Sequence, residues 1–220
     1  MLKIITTSDG SHSLLNEELS ETYHSVHGAL QESIHVFIRH GLAYILQARS
    51  APISIFEVGF GTGLNALLTL QYSLTHQKRI SYTTVEASPL PEEIWSRLNY
   101  DSLIGLPDEY KNLHQATWGV VQSLTPHFNF LKVNETLQQF KFSMPDIDLV
   151  YYDAFAPGKQ PELWSLTMLE KVFHALRPGG VIVTYCAKGQ LKRDLASLGL
   201  IVETLPGPPG KKEMVRATKP

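Results

Sequence analysis

One cysteine, Cys186, is all the thiol that 220 residues carry. That excludes an internal disulfide and a cysteine-based zinc site. Long apolar runs are missing as well, and nothing approaches the ~20 residues a membrane helix needs. The opening M-L-K-I-I-T-T-S-D-G lacks the apolar core of a secretory leader, so the expected location is cytoplasmic. There are no repeats and no low-complexity segments. Charge of one sign is also scarce: a net charge of −2 does not mark a nucleic-acid binder. The distribution is less even. From Lys188 onward seven Lys/Arg stand against three Asp/Glu, while the first 187 residues hold twelve against eighteen. Such a basic end suits phosphates, or is simply a solvated terminus.

What is present is an ordinary globular composition, 43% hydrophobic and 18% charged, in a length that fits one domain with a small elaboration. It is organised around I-S-I-F-E-V-G-F-G-T-G-L-N, Ile53 to Asn65. Ile53 to Val58 predicts a buried strand, and Leu64, Leu67, Leu68 and Tyr72 a following helix. Between them lie Gly59, Gly61 and Gly63. Strand, glycine turn and helix form the first unit of a nucleotide-binding α/β sheet. There the backbone turns tightly, and the helix N-terminus offers unpaired N–H groups. E-x-G-x-G-x-G is the usual form in S-adenosylmethionine (SAM) methyltransferases. Gly61, Gly63 and Ala66 also satisfy the dinucleotide pattern.

Upstream, Leu2 to Thr6 and Ser13 to Asn16 read as a hairpin, and Glu17 to Ser25 as loop. Gly28 to Leu46 reads as helical, with Gly41 expected to break it in two. Downstream, Arg79 to Ala87 reads as the second strand, with Glu86 placed to accept hydrogen bonds from ribose hydroxyls. Residues 99 to 126 suggest helices and loops. Phe128 to Val133 and Ile147 to Asp153 are the third and fourth strands. Glu162 to Leu176 reads as one helix, with Leu163, Leu166, Leu169, Val172, Phe173 and Leu176 buried. Val181 to Tyr185 is the fifth strand, and Gln190 to Leu198 the next helix. Leu200 to Leu205 and Glu213 to Ala217 are strands joined by P-G-P-P-G-K-K, too short for a parallel crossover. The expected fold is therefore an α/β class I methyltransferase: a seven-stranded, mostly parallel sheet ending in an antiparallel hairpin. Residues 1–50 would be an addition packing on the cofactor site, and 51–220 the methyltransferase domain.

The fourth strand runs into D-A-F-A-P-G, Asp153 to Gly158, at the ligand-binding carboxyl edge of such a sheet. Methyl transfer from a sulfonium is an in-line displacement in which alignment dominates. An alkylamine, taken as lysine-like, has a pKa of roughly 10 and is mostly protonated at neutral pH. A carboxylate can accept its hydrogen, orient its lone pair and stabilise the charge that forms. Asp153 is the candidate, with a strand-end cap as the alternative. Glu57 is placed to face the cofactor's ammonium group, or to pair with a local N–H. Phe155 and Pro157 read either as a wall for a flipped base or as loop packing. His24, His27, His35 and His40 lack a matching ligand framework, so no metal is expected.

The segments Tyr23 to Glu32, Phe56 to Asn65, Asp153 to Trp164 and Gly207 to Met214 together resemble the tRNA wobble-uridine methyltransferases. These convert 5-aminomethyl-2-thiouridine to its methylaminomethyl form. The resemblance implies SAM held at Gly59, Gly61, Gly63 and Glu86, with Tyr23 and Glu32 closing over the site; Glu57 and Asn65, in the same motif, are further cofactor-binding candidates. It implies Asp153 at the substrate amine and Lys211 and Lys212 near the tRNA; Phe155 and Pro157 stay the candidate base-facing residues. Many such relatives are fused to a flavin (FAD)-dependent oxidase that makes the amine. No second glycine fingerprint occurs here, so only the methyl step is implied, with a separate oxidase or other amine-forming enzyme upstream. An acid commonly holds the adenine amino group after the third strand. This chain reads L-K-V-N-E-T there, offering Asn134 or Glu135. Two other readings share the fold: an NAD(P)-dependent oxidoreductase, and a non-catalytic RNA-binding relative.

Overall fold

Three short strands, β1 (Leu2–Thr6), β2 (His12–Asn16) and β3 (Glu21–Thr22), pair antiparallel in the computed structural model. It describes residues 1–49, 52–142 and 146–220. The boundary expected at residues 50 and 51 lies outside the described residues. The segment read as loop contains β3, where Thr22 pairs with Leu15. Its two residues are polar and carry no alternation to read.

Next, α1 (Ala29–Ser33) runs through a π-helical stretch (Ile34–Leu42) straight into α2 (Ala43–Ala48). Gly41 does not break this helix. A Cβ there would lie 3.0 Å from Val183 Cγ2 and 3.4 Å from Tyr151 Cε1. The missing side chain lets the helix lie close against the sheet.

The central part alternates: β4 (Ile53–Val58), α3 (Leu64–His76), β5 (Ile80–Val85), α4 (Glu92–Trp95), α5 (Tyr100–Ile104), α6 (Pro107–Gln115), β6 (Gln122–Thr125), β7 (Phe128–Val133) and β8 (Ile147–Tyr152). Then follow a 3₁₀ turn (Pro161–Trp164), α7 (Leu166–Ala175), β9 (Leu176–Thr184), α8 (Gly189–Ser197), β10 (Ile201–Pro206) and β11 (Glu213–Thr218). The large sheet has the order β10-β11-β9-β8-β4-β5-β7-β6. Its centre, β7 to β9, is parallel, and β11 returns antiparallel to β9. This is the class I methyltransferase arrangement. The sheet has eight strands among the described residues, not seven. The extra one is β6, an antiparallel edge strand on β7, whose Q-S-L-T gives no apolar pattern to detect.

Two further details differ from the sequence reading. Ser165 is extended, at ψ 151°, so the segment expected as one helix is a 3₁₀ turn and a helix. Leu166 then points to solvent and is 47% exposed. Arg177-Pro-Gly-Gly lies inside the fifth strand, which starts at Leu176 rather than at Val181. It forms an irregular start to β9, where Ile147 pairs Leu176 but Leu149 pairs Val181.

The central strands are buried on both faces, as parallel strands covered by helices must be. Ile55, Tyr151 and Val183 face a core shared with Phe37, Leu64 and Leu67. Phe56, Val150 and Tyr152 face the opposite core, with Leu169, Val172 and Leu195. Helices on both faces leave the carboxyl edge of β4, β5, β7 and β8 as the natural ligand position.

Candidate active site

At the end of β4 the chain passes through Gly59, Gly61 and Gly63, at φ 92°, 49° and 76°. Gly59 N–H donates to Val85 O and Gly63 N–H to Phe60 O, at 3.0 and 2.9 Å. These bonds tie the turn to β5 and to itself. Gly61 is the half-buried apex: its N–H donates to Glu86 Oε2 at 2.9 Å. Helix α3 starts directly after, so its first N–H groups face the same space.

A cavity of about 490 Å³ opens over this turn. One wall is the N-terminal segment from Glu21 to His27 with Glu32, and a second is the rim after β7, Glu135 to Gln138. Asp153 to Ala156 and Tyr185 form the far side, beneath Gly210 and Lys211 of the last hairpin. Tyr23 lies over the glycine turn with its ring edge on Phe155, centroids 4.9 Å apart. Burial, aided by the charge of Glu86, pushes the Tyr23 hydroxyl up to about 12, so it stays a neutral donor. Glu86 also accepts from Ser88 N–H at 2.8 Å, which fixes its carboxylate at the rim.

Asp153 sits just past β8. Asn65, in the first turn of α3, donates from Nδ2 to Asp153 Oδ2 at 2.7 Å. Burial first, then the charge of Glu32, raises the Asp153 carboxyl to about 7, with Asn65 and Lys211 opposing. This acid therefore changes protonation near neutral pH, as a hydrogen acceptor for an amine should. Glu32, 5% exposed, accepts from Ser25 N–H at 2.8 Å and is paired with Lys211. The ammonium of Lys211 lies 3.9 Å from the centre of the Tyr185 ring, and Tyr185 donates to Ala154 O at 2.8 Å. Glu32 is the buried partner of this pair, while the Lys211 side chain is 31% exposed; the other contacts of each offset the cost of taking the carboxylate out of water.

The fold brings together Tyr23, Glu32, Gly59, Gly61, Asn65, Glu86, Asp153, Phe155 and Lys211 around one space. It does not bring all the expected residues there. Pro157 and Lys212 lie outside the lining, and Lys212 is exposed. Gly63 caps α3 behind the turn, against His114 and Phe60. Glu57 is 1% exposed and lies beneath the floor. Asn134 donates to Glu86 O at 2.8 Å and holds the strand end, whereas Glu135 borders the cavity. Two lining residues were not singled out as such. His24 is held neutral, its pKa pushed down to about 4 by burial. Tyr185 carries the same signal as Asp153, a polar residue just past a parallel strand.

Carboxylates dominate the lining: Glu21, Glu32, Glu86, Glu135, Asp153 and Glu162. A cationic ligand beside a glycine turn fits that field, and a sulfonium that also carries an ammonium group has both features.

Comparison with known proteins agrees with this geometry. A family model described as "S-adenosyl-L-methionine-dependent methyltransferase" matches residues 112–220. The chain is 27% identical over 219 residues to the tRNA 5-methylaminomethyl-2-thiouridine biosynthesis bifunctional protein of Leptospira interrogans. That alignment covers 91% of this chain and 33% of the relative. It is 29% identical over 217 residues to the protein of the same name from Methylibium petroleiphilum, covering 92% and 32%. The chain thus spans about a third of the length of the curated relatives it matches. The crystal structure of MNMC2 from Aquifex aeolicus superposes with a TM-score of 0.80 at 24% identity. It covers all of this chain and 71% of that one.

Proposed function

We infer that this chain, which has the class I methyltransferase fold and matches the family model over residues 112–220, is an S-adenosyl-L-methionine-dependent methyltransferase that methylates the exocyclic amine of 5-aminomethyl-(2-thio)uridine at position 34 of tRNA. The observation that carries this reading is a half-buried carboxylate, Asp153, held by Asn65 at an acidic cavity beside the glycine turn. The names of the relatives support the choice of substrate. Glu86 is placed for the ribose of SAM, the glycine turn for its methionine part and the rim at Glu135 for its adenine. Residues 1–50 serve as an addition that packs on the cofactor site, and 51–220 as the transferase domain. An amine-forming enzyme, such as a separate flavin-dependent oxidase, supplies the substrate.

Bound SAM supplies an electrophilic methyl group on a sulfonium. Asp153, ionised, accepts an N–H of the amine and points its lone pair at that methyl. The carboxylate then faces the positive charge that forms on nitrogen and takes up its proton for release to water. Tyr23 and Phe155 exclude water and offer ring surface to a uracil that has left its stack. No helix among the described residues is long and apolar enough to cross a membrane.

The deciding experiment is incubation of hypomodified tRNA with methyl-labelled SAM, followed by mass spectrometry of its nucleosides. Label in 5-methylaminomethyl-(2-thio)uridine is expected, and its absence from an active preparation overturns the substrate. A melting-temperature comparison separates SAM from NADH. A ligand at 100 times its Kd adds about 2.7 kcal/mol of stability, and only SAM is expected to do so. The oxidoreductase reading is disfavoured by the antiparallel return of β11 beside β9.

Two further results are expected. Because Asp153 must be ionised to accept hydrogen, the rate should fall as pH drops through about 7. Removing the neighbouring charge with Glu32→Gln should move that inflection to lower pH, measured as kcat/KM against pH. The two lysines of the last hairpin should separate. Lys212→Ala should lower the salt slope of tRNA binding by about one and leave SAM affinity unchanged. Lys211→Ala should act on turnover instead, by releasing Glu32.

A further inference from the structure

Beneath the cavity floor lies a polar cluster that the reaction as described does not use. Strand register places Glu57 beside Thr84 of β5 and Tyr151 of β8, with Tyr82 two residues before Thr84 on the same face. Helix α3 covers this face and contributes Asn65 and Thr69. Thr69 donates to Asn65 O at 2.7 Å, and its hydroxyl is 3.3 Å from that of Tyr151. Glu57 Oε2, Asn65 Oδ1, Tyr82 OH and Thr84 Oγ1 are buried, and none makes a well-formed hydrogen bond among the described residues, although Thr84, Asn65 and Tyr82 lie close enough to act on the Glu57 carboxyl. Such atoms are costly unless a donor meets each acceptor.

Donor and acceptor identities decide what Glu57 does. An ionised Asp153 only accepts, so Asn65 must turn its NH₂ toward it, as it does at 2.7 Å. That leaves Asn65 Oδ1 pointing back into the cluster and in need of a donor. An ionised Glu57 has none to give. It would attract the same NH₂ and pull the amide away from Asp153. A protonated Glu57 has one O–H.

We propose that Glu57 is a neutral acid that supplies the donor Asn65 Oδ1 lacks, and so is a positioning residue for Asp153 rather than a ligand of the cofactor. Burial first and the charge of Asp153 second hold its carboxyl well above the ordinary range, while Thr84, Asn65 and Tyr82 oppose. Among the ionisable groups, Asp153 past β8 favours the neutral form and Tyr82 from β5 the charged one, while Tyr151 of β8, beside Glu57 in register, is itself held neutral by burial. The assignment rests on Asp153 being the hydrogen acceptor, but not on which amine is methylated.

Glu57→Gln keeps the shape and provides an N–H donor. Glu57→Leu keeps the approximate volume and provides none. With Gln, SAM affinity, kcat and the inflection near pH 7 should all stay within about threefold or a few tenths of a pH unit of wild type. With Leu, SAM affinity should hold, while kcat falls about tenfold or more and the inflection moves to higher pH, because Asp153 loses its oriented partner. Infrared spectroscopy gives a readout independent of substrate and turnover. A protonated-carboxyl band should persist at pH 8 in wild type and vanish in Glu57→Gln. Absence of that band, a tenfold or greater loss of SAM affinity in Glu57→Gln, or an unchanged kcat and inflection in Glu57→Leu overturns the assignment. Should Glu57→Leu fail to fold, the band and the Gln variant still decide. A missing tRNA product with the band present overturns the substrate and leaves Glu57 in place.

Discussion

Asp153→Ala should reduce methyl transfer by about 10²- to 10⁴-fold, the range for loss of a positioned acid–base group, while SAM still binds. Two features make this separable from misfolding. Among the described residues the side-chain hydrogen bond from Asp153 to α3 is the one with Asn65, and the helix keeps its packing through Leu64, Leu67 and Leu70. Asp153 follows β8 and Glu86 follows β5, on either side of β4, so loss of the one carboxylate should leave the other in place. Asp153→Asn is the sharper variant, because it keeps the volume and cannot take up a proton. Single-turnover transfer of labelled methyl, alongside calorimetric titration of SAM, measures both quantities. Normal turnover in either variant removes Asp153 from the mechanism. Lost SAM binding would place it among the cofactor ligands instead.

The second large effect is on binding. Gly61→Val should weaken SAM affinity by at least about tenfold, more than 1.4 kcal/mol. Gly61 sits at φ 49°, where an L-residue costs ~1–2 kcal/mol and a β-branched one more. Its new Cβ would also lie 3.3 Å from Tyr23 Cδ1, filling the gap between the turn and the aromatic above it. Gly199→Val is the control. It has φ 90° and nothing within 4 Å of its would-be Cβ, so it carries the backbone strain without the steric block. Calorimetry should find SAM affinity unchanged there. Equal losses in the two variants would make the effect one of stability alone.

Much of the site was legible because it sits where strands end. Val58 into Gly59, Val85 into Glu86 and Tyr152 into Asp153 are each an apolar run giving way to a residue with chemistry. A parallel sheet aligns such exits along one edge. What reading along the chain misjudged was the role of residues whose setting is made by distant neighbours. Gly41 looked like a helix breaker and is instead a contact with β9. Glu57 looked like a group facing the cofactor and is buried below it. Lys211 and Lys212 are identical and adjacent, yet only Lys211 turns inward. The hairpin brings Lys211 to Glu32, 179 positions away, and Gly210 fits directly beneath His27.

By itself, the sequence determined the parallel core, the glycine turn and the acid past the fourth strand, because periodicity and glycine placement act over a few residues. Tertiary structure alone decided which carboxylates are buried and which lysine reaches the cavity. Burial and pairing depend on atoms that meet only once the sheet has closed the distance between them.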